Sequence, residues 1–405
     1  MPRNIMVECL KQTPLEKQKL EIVERKGLGH PDYICDAIMD KVSVELSKEY
    51  LKKFGAILHH NADKSLLVAG DAEIRFGGGI IKAPMLLIFG DRATSSANNI
   101  EIPVKEIAIN AAKQWFRENL RFVNPEKHVR YQVEFKPGSP ELVDIFRRKT
   151  KTKVLGANDT SAAVGYAPLT RTEKMVLELE QYVNSPEFKR RFPESGEDVK
   201  VMGLRKNNEL WLTIAMPLVD RYIENEKEYF ARKQEILEEI KNFINERSDF
   251  DRVTVDMNTL DVEGRGIHGV YLTVLGTSAE SGDSGQVGRG NRVNGVIPLN
   301  RPLCSEAAAG KNPVSHVGKI YNLLTHKIAS RVYEEVPGLE EVYIWLLSKI
   351  GQPIDQPAIA AAQVVMKSGN SFEEVKRSIE EVVNTELENL DKFCMDLAYG
   401  KLKIC

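Results

Sequence analysis

The segment that decides the fold of this 405-residue chain is Glu24-Arg25-Lys26-Gly27-Leu28-Gly29-His30-Pro31-Asp32. Behind it, apolar residues recur at four-residue intervals, which predicts a helix with one buried face. Pro31 suits the first helical turn, where its missing N–H removes no hydrogen bond. His30 and Asp32 are therefore expected at a helix N-terminus, where free N–H groups and the helix dipole attract anions. The apolar positions are Ile34, Ile38, Val42, Leu46, Tyr50 and Phe54.

Two interpretations of this segment compete. Asp32 can simply be a favourable negative charge in the first turn of the helix. That interpretation does not account for the two glycines and the two cations, Arg25 and Lys26, that precede it. We therefore interpret the segment as a phosphate and metal site.

The composition describes an ordinary globular protein of two or three domains. Hydrophobic residues make up 42% and charged residues 28%, and the formal net charge is −2, so we expect binding neither to nucleic acid nor to a membrane. No apolar run approaches the roughly 18 residues of a membrane helix, and residues 1–10 lack the layout of a signal peptide. The five cysteines are scattered and odd in number, which favours reduced thiols in a cytoplasmic protein.

Strand-like and helix-like segments alternate along the chain, which predicts an α/β fold of the α+β type. Residues 66–76 have the pattern of a strand, and residues 100–116 and 371–393 that of helices. A glycine-rich region at residues 275–312 is predicted to lack helices. The strands have two different faces, which favours mixed or antiparallel sheets.

Four segments combine glycine, which lets backbone N–H groups approach a ligand, with a carboxylate or a cation. Each alone is more often a solvated turn. Together they suggest a polyphosphate ligand neutralised by Mg²⁺ and by fixed lysine and arginine side chains. The segments are Gly29-His30-Pro31-Asp32, residues 156–161 with 165–170, residues 281–292, and residues 309–313 with His316 and Lys319.

Two common nucleotide-binding motifs are excluded. Gly264-Arg265-Gly266-Ile267-His268-Gly269 matches the letters of a dinucleotide fingerprint, but a strand-like run follows it where a helix is required. We predict a turn there. Gly310-Lys311 is not a P-loop, because Asn312 stands where Ser or Thr is needed.

Over nearly its whole length the sequence resembles the S-adenosylmethionine synthetases (methionine adenosyltransferases) of the archaeal type. The match to that type is close and includes residues 24–36 and 278–291. The bacterial and eukaryotic forms are similar only in islands, whose order and rough spacing agree. The islands are residues 29–32, 156–159 with 165–167, 282–289 and 310–311.

The resemblance implies that the chain makes S-adenosylmethionine from ATP and L-methionine. The methionine sulfur attacks ribose C5′ and displaces triphosphate, which is then hydrolysed to phosphate and pyrophosphate. Catalysis of that reaction needs alignment of the two reactants and stabilisation of charge on the leaving oxygen. The family implies Mg²⁺ and allows K⁺. The alternatives are another Mg²⁺-dependent polyphosphate hydrolase and a non-catalytic nucleotide-binding subunit.

The resemblance also assigns roles to individual residues. His30 lies near the breaking C5′–O bond as a catalytic residue. Asp32 is similar to a magnesium ligand, and Asp71 to a position near a monovalent cation where the family usually has Glu. Asp159 and Asp283 correspond to carboxylates that contact the ribose and the methionine ammonium, Asp159 being assigned to both substrates. The implied ATP and phosphate ligands are Gly138, Ser139, Asp159, Arg289, Lys311 and Lys319, of which Arg289 and Lys311 are also catalytic.

Several family charges are missing from the matching positions. Gly290 stands where the bacterial form has a lysine, and Asn207-Asn208-Glu209 where it has an Asp-x-Lys pair. A second lysine would fall near Val314 or Ser315, and a second magnesium-binding aspartate near His316. The candidates for replacing the cations are Arg25, Lys26, Arg265, Arg292 and Lys319.

The family further implies a homodimer with active sites at the subunit interface. Each chain would contain three interleaved α/β subdomains. We expect an N-terminal subdomain of residues 1–28 and 170–252, and a central one of residues 29–125 and 311–320. The C-terminal subdomain would comprise residues 126–169, 253–310 and 321–405.

Overall fold

The computed structural model describes residues 3–146 and 153–404, which form three mixed sheets covered by helices. Cys405 lies outside the described residues, and the other four cysteines are free thiols. In the described ranges, no helix combines the length and the apolar character that crossing a bilayer requires.

The α-helices of the described ranges are α1 (Pro31–Phe54), α2 (Val104–Asn119), α3 (Pro140–Ile145), α4 (Arg171–Val183), α5 (Pro186–Arg191), α6 (Glu226–Asn245), α7 (Val317–Glu335), α8 (Phe372–Glu388) and α9 (Leu390–Ala398).

The strands are β1 (Ile5–Cys9), β2 (Leu20–Lys26), β3 (His60–Val68), β4 (Asp71–Glu73), β5 (Ile80–Ala83), β6 (Met85–Ala93), β7 (Ser96–Ala97), β8 (Ile100–Glu101), β9 (Val129–Lys136), β10 (Ala162–Ala167), β11 (Lys200–Lys206), β12 (Glu209–Ala215), β13 (Leu218–Val219), β14 (Arg252–Met257), β15 (Leu272–Thr273), β16 (Gly285–Gln286), β17 (Ile297–Pro298), β18 (Leu339–Leu347) and β19 (Ile359–Met366).

Each of the three larger sheets joins distant parts of the chain. Sheet I has the strand order β1-β19-β18-β10, sheet II has β14-β12-β11-β2-β17, and sheet III has β16-β3-β6-β9. One pair in each sheet is parallel (β1 with β19, β12 with β14, β6 with β9) and the other pairs are antiparallel. The predicted fold of α and β elements with mixed sheets is therefore confirmed.

Two chain segments connect sheet II with sheet III. Strand β2 lies in sheet II, whereas α1, which follows it, packs on β3 and β16 of sheet III. The segment between β16 and β17 makes the same passage in reverse, because β16 pairs with β3 and β17 pairs with β2. The residues between β2 and α1 therefore lie where these two sheets meet.

The predicted helical face of α1 is buried. Ile34, Ile38, Val42, Leu46 and Tyr50 have no exposed surface and belong to the large apolar core that also contains α2 and α7, while Phe54 packs against it. A second core fills the space between sheet II and helices α4, α5 and α6. Because these five side chains of the predicted face are fully buried, hydrophobic burial fixes the place of α1 on sheet III.

Other predicted elements are interrupted at residues with a physical reason. The helix predicted for residues 100–116 begins at Val104, because Pro103 precedes its first turn. The strand predicted for residues 66–76 divides at Gly70, whose Cα lies so close to β5 that a Cβ would stand 2.5 Å from Ala83 O. The helix predicted for residues 371–393 is divided at Asn389 into α8 and α9.

The turn predicted for the glycine motif at residues 264–269 is confirmed. Gly266–Gly269 forms one short 3₁₀ helix, and the N–H groups of Arg265 and Gly266 both donate to Glu226 Oε1. The anion that these N–H groups bind is thus a side chain of α6. The motif has a structural role here.

A buried ion pair joins the two central strands of sheet II, and it allows a stability test. Arg205 on β11 lies directly opposite Glu21 on β2, and its Nε is 3.0 Å from Glu21 Oε2. Both side chains are fully buried, and the guanidinium also donates to Leu15 O and Gln18 O. Removal of one partner leaves an unpaired buried charge, which costs about 3–5 kcal/mol.

We expect Arg205→Met to lower the urea midpoint of unfolding, followed by circular dichroism, by an amount equivalent to that cost. The matched control is Lys206→Met, at the exposed next position of the same strand, which should change stability by at most about 0.5 kcal/mol. Equal midpoints for the two variants would show that the buried pair contributes nothing.

Candidate active site

The glycines ahead of α1 bring two backbones together. Gly27 N donates to Val199 O and Gly29 N donates to Glu197 O, at 2.6 and 2.9 Å. A Cβ on Gly29 would stand 2.5 Å from Asp198 N, so no other residue fits there without movement. From the sequence we interpreted these glycines as positions where a ligand can approach the backbone, and that interpretation is wrong. They allow the residues just after β2 to pass against residues 197–199.

His30 is the N-cap of α1, and this position fixes which ring nitrogen carries the proton. Its Nδ1 accepts the N–H of Asp32 at 3.2 Å. Burial holds the pKa of His30 well below its ordinary value; the Asp32 carboxylate opposes this, and the charges of Lys26 and Lys200 add to it. The ring is thus neutral at pH 7. With Nδ1 as acceptor, the proton lies on Nε2, which is a hydrogen-bond donor.

Two carboxylates on the first turns of α1 bind the glycine-rich segment that contains β16. Asp32 Oδ1 accepts the N–H of Gln286 at 2.9 Å, and the two oxygens of Asp36 accept the N–H groups of Gly288 and Gly290 at 2.8 and 3.2 Å. Every second N–H of this segment thus points at α1. Burial raises the pKa of Asp36 to about 7, against the bond from Gly288.

Glycine is required where this segment crosses α1. A Cβ on Gly285 would overlap Pro31 O, and one on Gly290 would overlap Asp36 Oδ2. Gly288 has a φ of +85°, a conformation that costs other residues energy. The backbone of residues 285–290 therefore lies directly on the helix, with Arg289 exposed beside it.

Lys26 was a candidate cation from the sequence, Asp198 had no assigned role, and both interact with Asp32. Lys26 Nζ is 2.9 Å from Asp32 Oδ2. Asp198 accepts hydrogen bonds from the N–H and hydroxyl of Ser278, and burial raises its pKa to about 7, with the charges of Asp283 and Asp32 adding to the rise. The charges of Asp32 and Asp283 thus both act on Asp198.

The segment aligned with the Asp-x-Lys pair lies away from His30. Asn207 and Asn208 are in the β11–β12 turn, where Asn207 N donates to Lys19 O. An Asp-x-Lys spacing also occurs at Asp198-Val199-Lys200, at the other end of β11, and the charge of Lys200 acts on His30.

A cleft of about 680 Å³ lies along β3 and β6. Its lining includes Gln286, whose N–H binds Asp32, but not Asp32 itself. Lys311 Nζ, at its far side, is 2.7 Å from Asp63 Oδ2 and 2.9 Å from Glu306 Oε2. The cations that line it are Lys64, Arg289 and Lys311, so two of the four predicted segments meet here.

Asp283, Asp71 and Lys319 were predicted as site residues, and their positions relative to this cleft differ. Asp283 and Asp71 lie close together in the fold, because Ser284 Oγ accepts the N–H of Ala69 and Gly70 N donates to Ala279 O. Lys319 is buried in α7, with Nζ 2.6 Å from Asp40 Oδ1. Lys319 does not line the cleft formed by the described residues.

The remaining predicted residues lie apart from His30 in one chain. Gly138 borders a pocket of about 210 Å³ beside His59, and Ser139 is the N-cap residue of α3. Asp159 belongs to a turn that packs on Ser348, whose hydroxyl donates to Asp159 O. In residues 3–146 and 153–404, no hydrogen bond or ion pair joins either segment to His30, Asp32 or Arg289.

Comparison with known proteins agrees with these motifs. A model of the family described as S-adenosylmethionine synthetase (AdoMet synthetase) matches residues 3–401. The S-adenosylmethionine synthase of Pyrococcus horikoshii is 48% identical over 404 residues, covering 100% of this chain and 100% of the relative. That of Thermococcus onnurineus is 47% identical over 402 residues, 99% of this chain and 98% of the relative. The predicted resemblance to the archaeal type is confirmed.

A probable S-adenosylmethionine synthase of Aquifex aeolicus is 46% identical over 397 residues, 96% of this chain and 98% of the relative. Among solved structures, an unusual S-adenosylmethionine synthetase from Campylobacter jejuni matches 94% of this chain and 94% of its own length. Its TM-score is 0.62 at 15% identity, so this match supports the fold alone.

The contact between Gly290 and Asp36 generates a test of the site's geometry. We expect Gly290→Ala to push the segment away from α1. Amide exchange in residues 285–291 should become about tenfold to a hundredfold faster, because one or two hydrogen bonds are lost. Hydrogen–deuterium exchange with mass spectrometry measures this. The control is Gly282→Ala in the same loop, where a Cβ would meet its nearest atom at 3.6 Å.

In an Asp36→Ala background, Gly290→Ala should add no further increase, because the obstructing carboxylate is gone. Unchanged exchange in Gly290→Ala itself would refute the close packing described here.

Proposed function

The chain belongs to the S-adenosylmethionine synthetase family, and we propose that it joins L-methionine to ATP by a single displacement at ribose C5′. The observation that carries the mechanism is the N-cap of α1, which makes His30 Nε2 a donor directly beside Asp32 and Lys26. The sulfur–C5′ bond forms while the C5′–O bond breaks, and the electron pair of that bond remains on the triphosphate. The triphosphate is then hydrolysed to phosphate and pyrophosphate.

His30 acts on the leaving group. A neutral imidazole can donate its Nε2–H to the departing oxygen, and this bond strengthens as negative charge develops there. The bond from Asp32 N–H to Nδ1 holds the ring in one orientation, so little reorganisation is needed during the reaction.

The cleft is suited to the triphosphate. Arg289 and Lys311 would grip its oxygens as charge-assisted donors, with Lys64 beside them. Lys311 is already 2.7 Å from Asp63 and 2.9 Å from Glu306, so its ammonium stays desolvated and oriented before the substrate arrives. Asp283 would receive the methionine ammonium, and Lys319 remains a candidate for a more distant phosphate.

The carboxylates of Asp32 and Asp198 fit Mg²⁺. In the described residues no three His, Cys, Asp or Glu side chains form a complete metal cage. Mg²⁺ at nucleotide sites is held by one or two carboxylates together with phosphate oxygens, so Asp32 with Asp198 nearby suffices as the protein's share. When bound, Mg²⁺ supplies positive charge to the triphosphate. Asp71 would hold K⁺.

We infer that the working form is a homodimer. Exposed apolar side chains lie on a strand of each sheet, with Met6 on β1, Leu20 on β2 and Leu66 on β3 each about 40–45% exposed. A partner chain that covered these faces would remove apolar surface from water. It would also bring its own Asp159, Gly138 and Ser139 to the site of the first chain, where Asp159 contacts both substrates.

We also propose that the protein is cytoplasmic, where its free thiols remain reduced. We expect it to bind neither nucleic acid nor a membrane, since its formal net charge is −2. We also propose three discontinuous subdomains. Relative to the boundaries given above, β1 belongs with sheet I because it pairs with β19, and β9 belongs with sheet III because it pairs with β6.

Product analysis tests the reaction. With ATP and Mg²⁺, release of phosphate and pyrophosphate should require methionine and should yield a sulfonium product by mass spectrometry. Polyphosphate cleavage without methionine would instead identify a hydrolase, and ATP binding without any product a non-catalytic subunit.

His30→Ala should lower turnover about 10²- to 10³-fold, the loss of one donor to the leaving oxygen, with unchanged circular dichroism. The control His268→Ala changes an exposed histidine of the 264–269 turn and should keep full turnover. Wild-type turnover in His30→Ala would remove His30 from the mechanism.

Mixing of two inactive variants tests the shared site. If His30 and Asp159 of one site come from different chains, His30→Ala and Asp159→Ala dimers that exchange subunits should recover about a quarter of wild-type activity. Half of the dimers would then be mixed, each with one intact site. A mixture that exchanges subunits and stays inactive would place both residues in the same chain's site.

A further inference from the structure

Lys26, the last residue of β2, is held in place by its backbone and by its side chain. Its N–H donates to Asn291 Oδ1 at 2.9 Å, and its carbonyl accepts Asn291 Nδ2 at 2.8 Å. Its Nζ donates to Asp32 Oδ2 at 2.9 Å and to Arg289 O at 2.7 Å. The ammonium therefore bridges the start of α1 and the segment that carries Arg289.

The ammonium has one donor left. A lysine has three N–H donors, and the described part of the chain provides acceptors for two of them. The side chain is 13% exposed, so it is close to fully desolvated but still open to the site. The imidazole of His30 lies on the same carboxylate oxygen, with Nδ1 3.9 Å from Asp32 Oδ2. A cation so placed is stabilised by an anionic ligand.

We propose that Lys26 is a catalytic cation, which donates its remaining N–H to a triphosphate oxygen at the C5′ end of ATP. The inference rests on the proposed function and names a residue for it. As the C5′–O bond breaks and its electron pair moves to the leaving oxygen, the charge-assisted hydrogen bond from Nζ becomes stronger and lowers the barrier.

The position of Lys26 also explains why Gly290 can lack a cation. A side chain at 290 is excluded because its Cβ would overlap Asp36 Oδ2. Lys26 Nζ binds the carbonyl of the Arg289–Gly290 peptide and thus places an ammonium beside the same peptide, from the opposite strand.

Three of the four other candidate cations, all except Arg292, are engaged elsewhere. Arg25 Nε is 2.6 Å from Glu180 Oε2, in a pair that is almost completely buried. Arg265 belongs to the turn that binds Glu226, and Lys319 Nζ is 2.6 Å from Asp40 Oδ1. Lys26 is the candidate that contacts both Asp32 and the Arg289 segment.

Lys26→Met tests the role, because methionine keeps the length of the side chain and removes its charge. We expect kcat for S-adenosylmethionine formation to fall about tenfold to a hundredfold, as for the loss of one hydrogen bond to a charged group. The inhibition constant of inorganic tripolyphosphate should weaken by a similar factor. Lys26→Arg should keep most of both. The control Lys206→Met, an exposed lysine of sheet II, should match wild type.

Amine rescue separates catalysis from structural support. In Lys26→Ala, added ethylamine should restore part of kcat in a saturable manner, since its ammonium can occupy the vacated space. If Lys26→Met does not fold, Lys26→Gln replaces it with the same expectation, because its amide can still donate to Arg289 O.

The inference is refuted if the neutral variant keeps kcat within about twofold of wild type. It is equally refuted if activity falls while tripolyphosphate affinity is unchanged and amines restore nothing. A wild-type protein that forms no S-adenosylmethionine would refute the proposed function itself, which is a separate result.

Discussion

The site depends on one contact between a helix and a glycine-rich segment. Asp32 and Asp36 are four residues apart on α1 and therefore lie on the same face, about 5–6 Å from each other. The segment turns after β16, where Gly288 has a φ of +85° and Arg289 N donates to Gln286 O. This turn presents the N–H groups of Gln286, Gly288 and Gly290 to the two carboxylates. This pairing joins sheet III to the passage into sheet II.

The same pairing explains the charge distribution around it. Backbone N–H groups and nearby positive charges both favour the charged form of a buried carboxylate. Lys26 and Lys200 come from the ends of β2 and β11, which is where these neighbouring strands of sheet II reach α1. Arg289 comes from the bound segment itself. A concentration of fixed cations and carboxylates at one sheet junction is the arrangement that a polyanionic substrate with Mg²⁺ requires.

Much of the fold and of the site could be predicted from local sequence. The features that could not be predicted all depend on contacts between residues that are far apart in the sequence. The four-residue period of α1 reports burial directly, and Pro31 marks its start, so the helix was predicted from a single segment. The role of Gly29 was misassigned because its close neighbour, Asp198, is remote in sequence. Asp36 could have been found, since an acidic residue one turn after Asp32 and alternate glycines at 288 and 290 are visible signals. The assembly of sheets from distant strands had no local signal.

The most direct test of the central claim is a crystal structure with a non-hydrolysable ATP analogue, methionine and Mg²⁺. The account predicts His30 Nε2 and Lys26 Nζ within about 3.2 Å of oxygens at the C5′ end of the triphosphate, which extends along the cleft to Lys311. It also predicts that Gln286, Gly288 and Gly290 remain bonded to Asp32 and Asp36. A triphosphate bound away from this junction, with His30 and Lys26 far from it, would contradict the account.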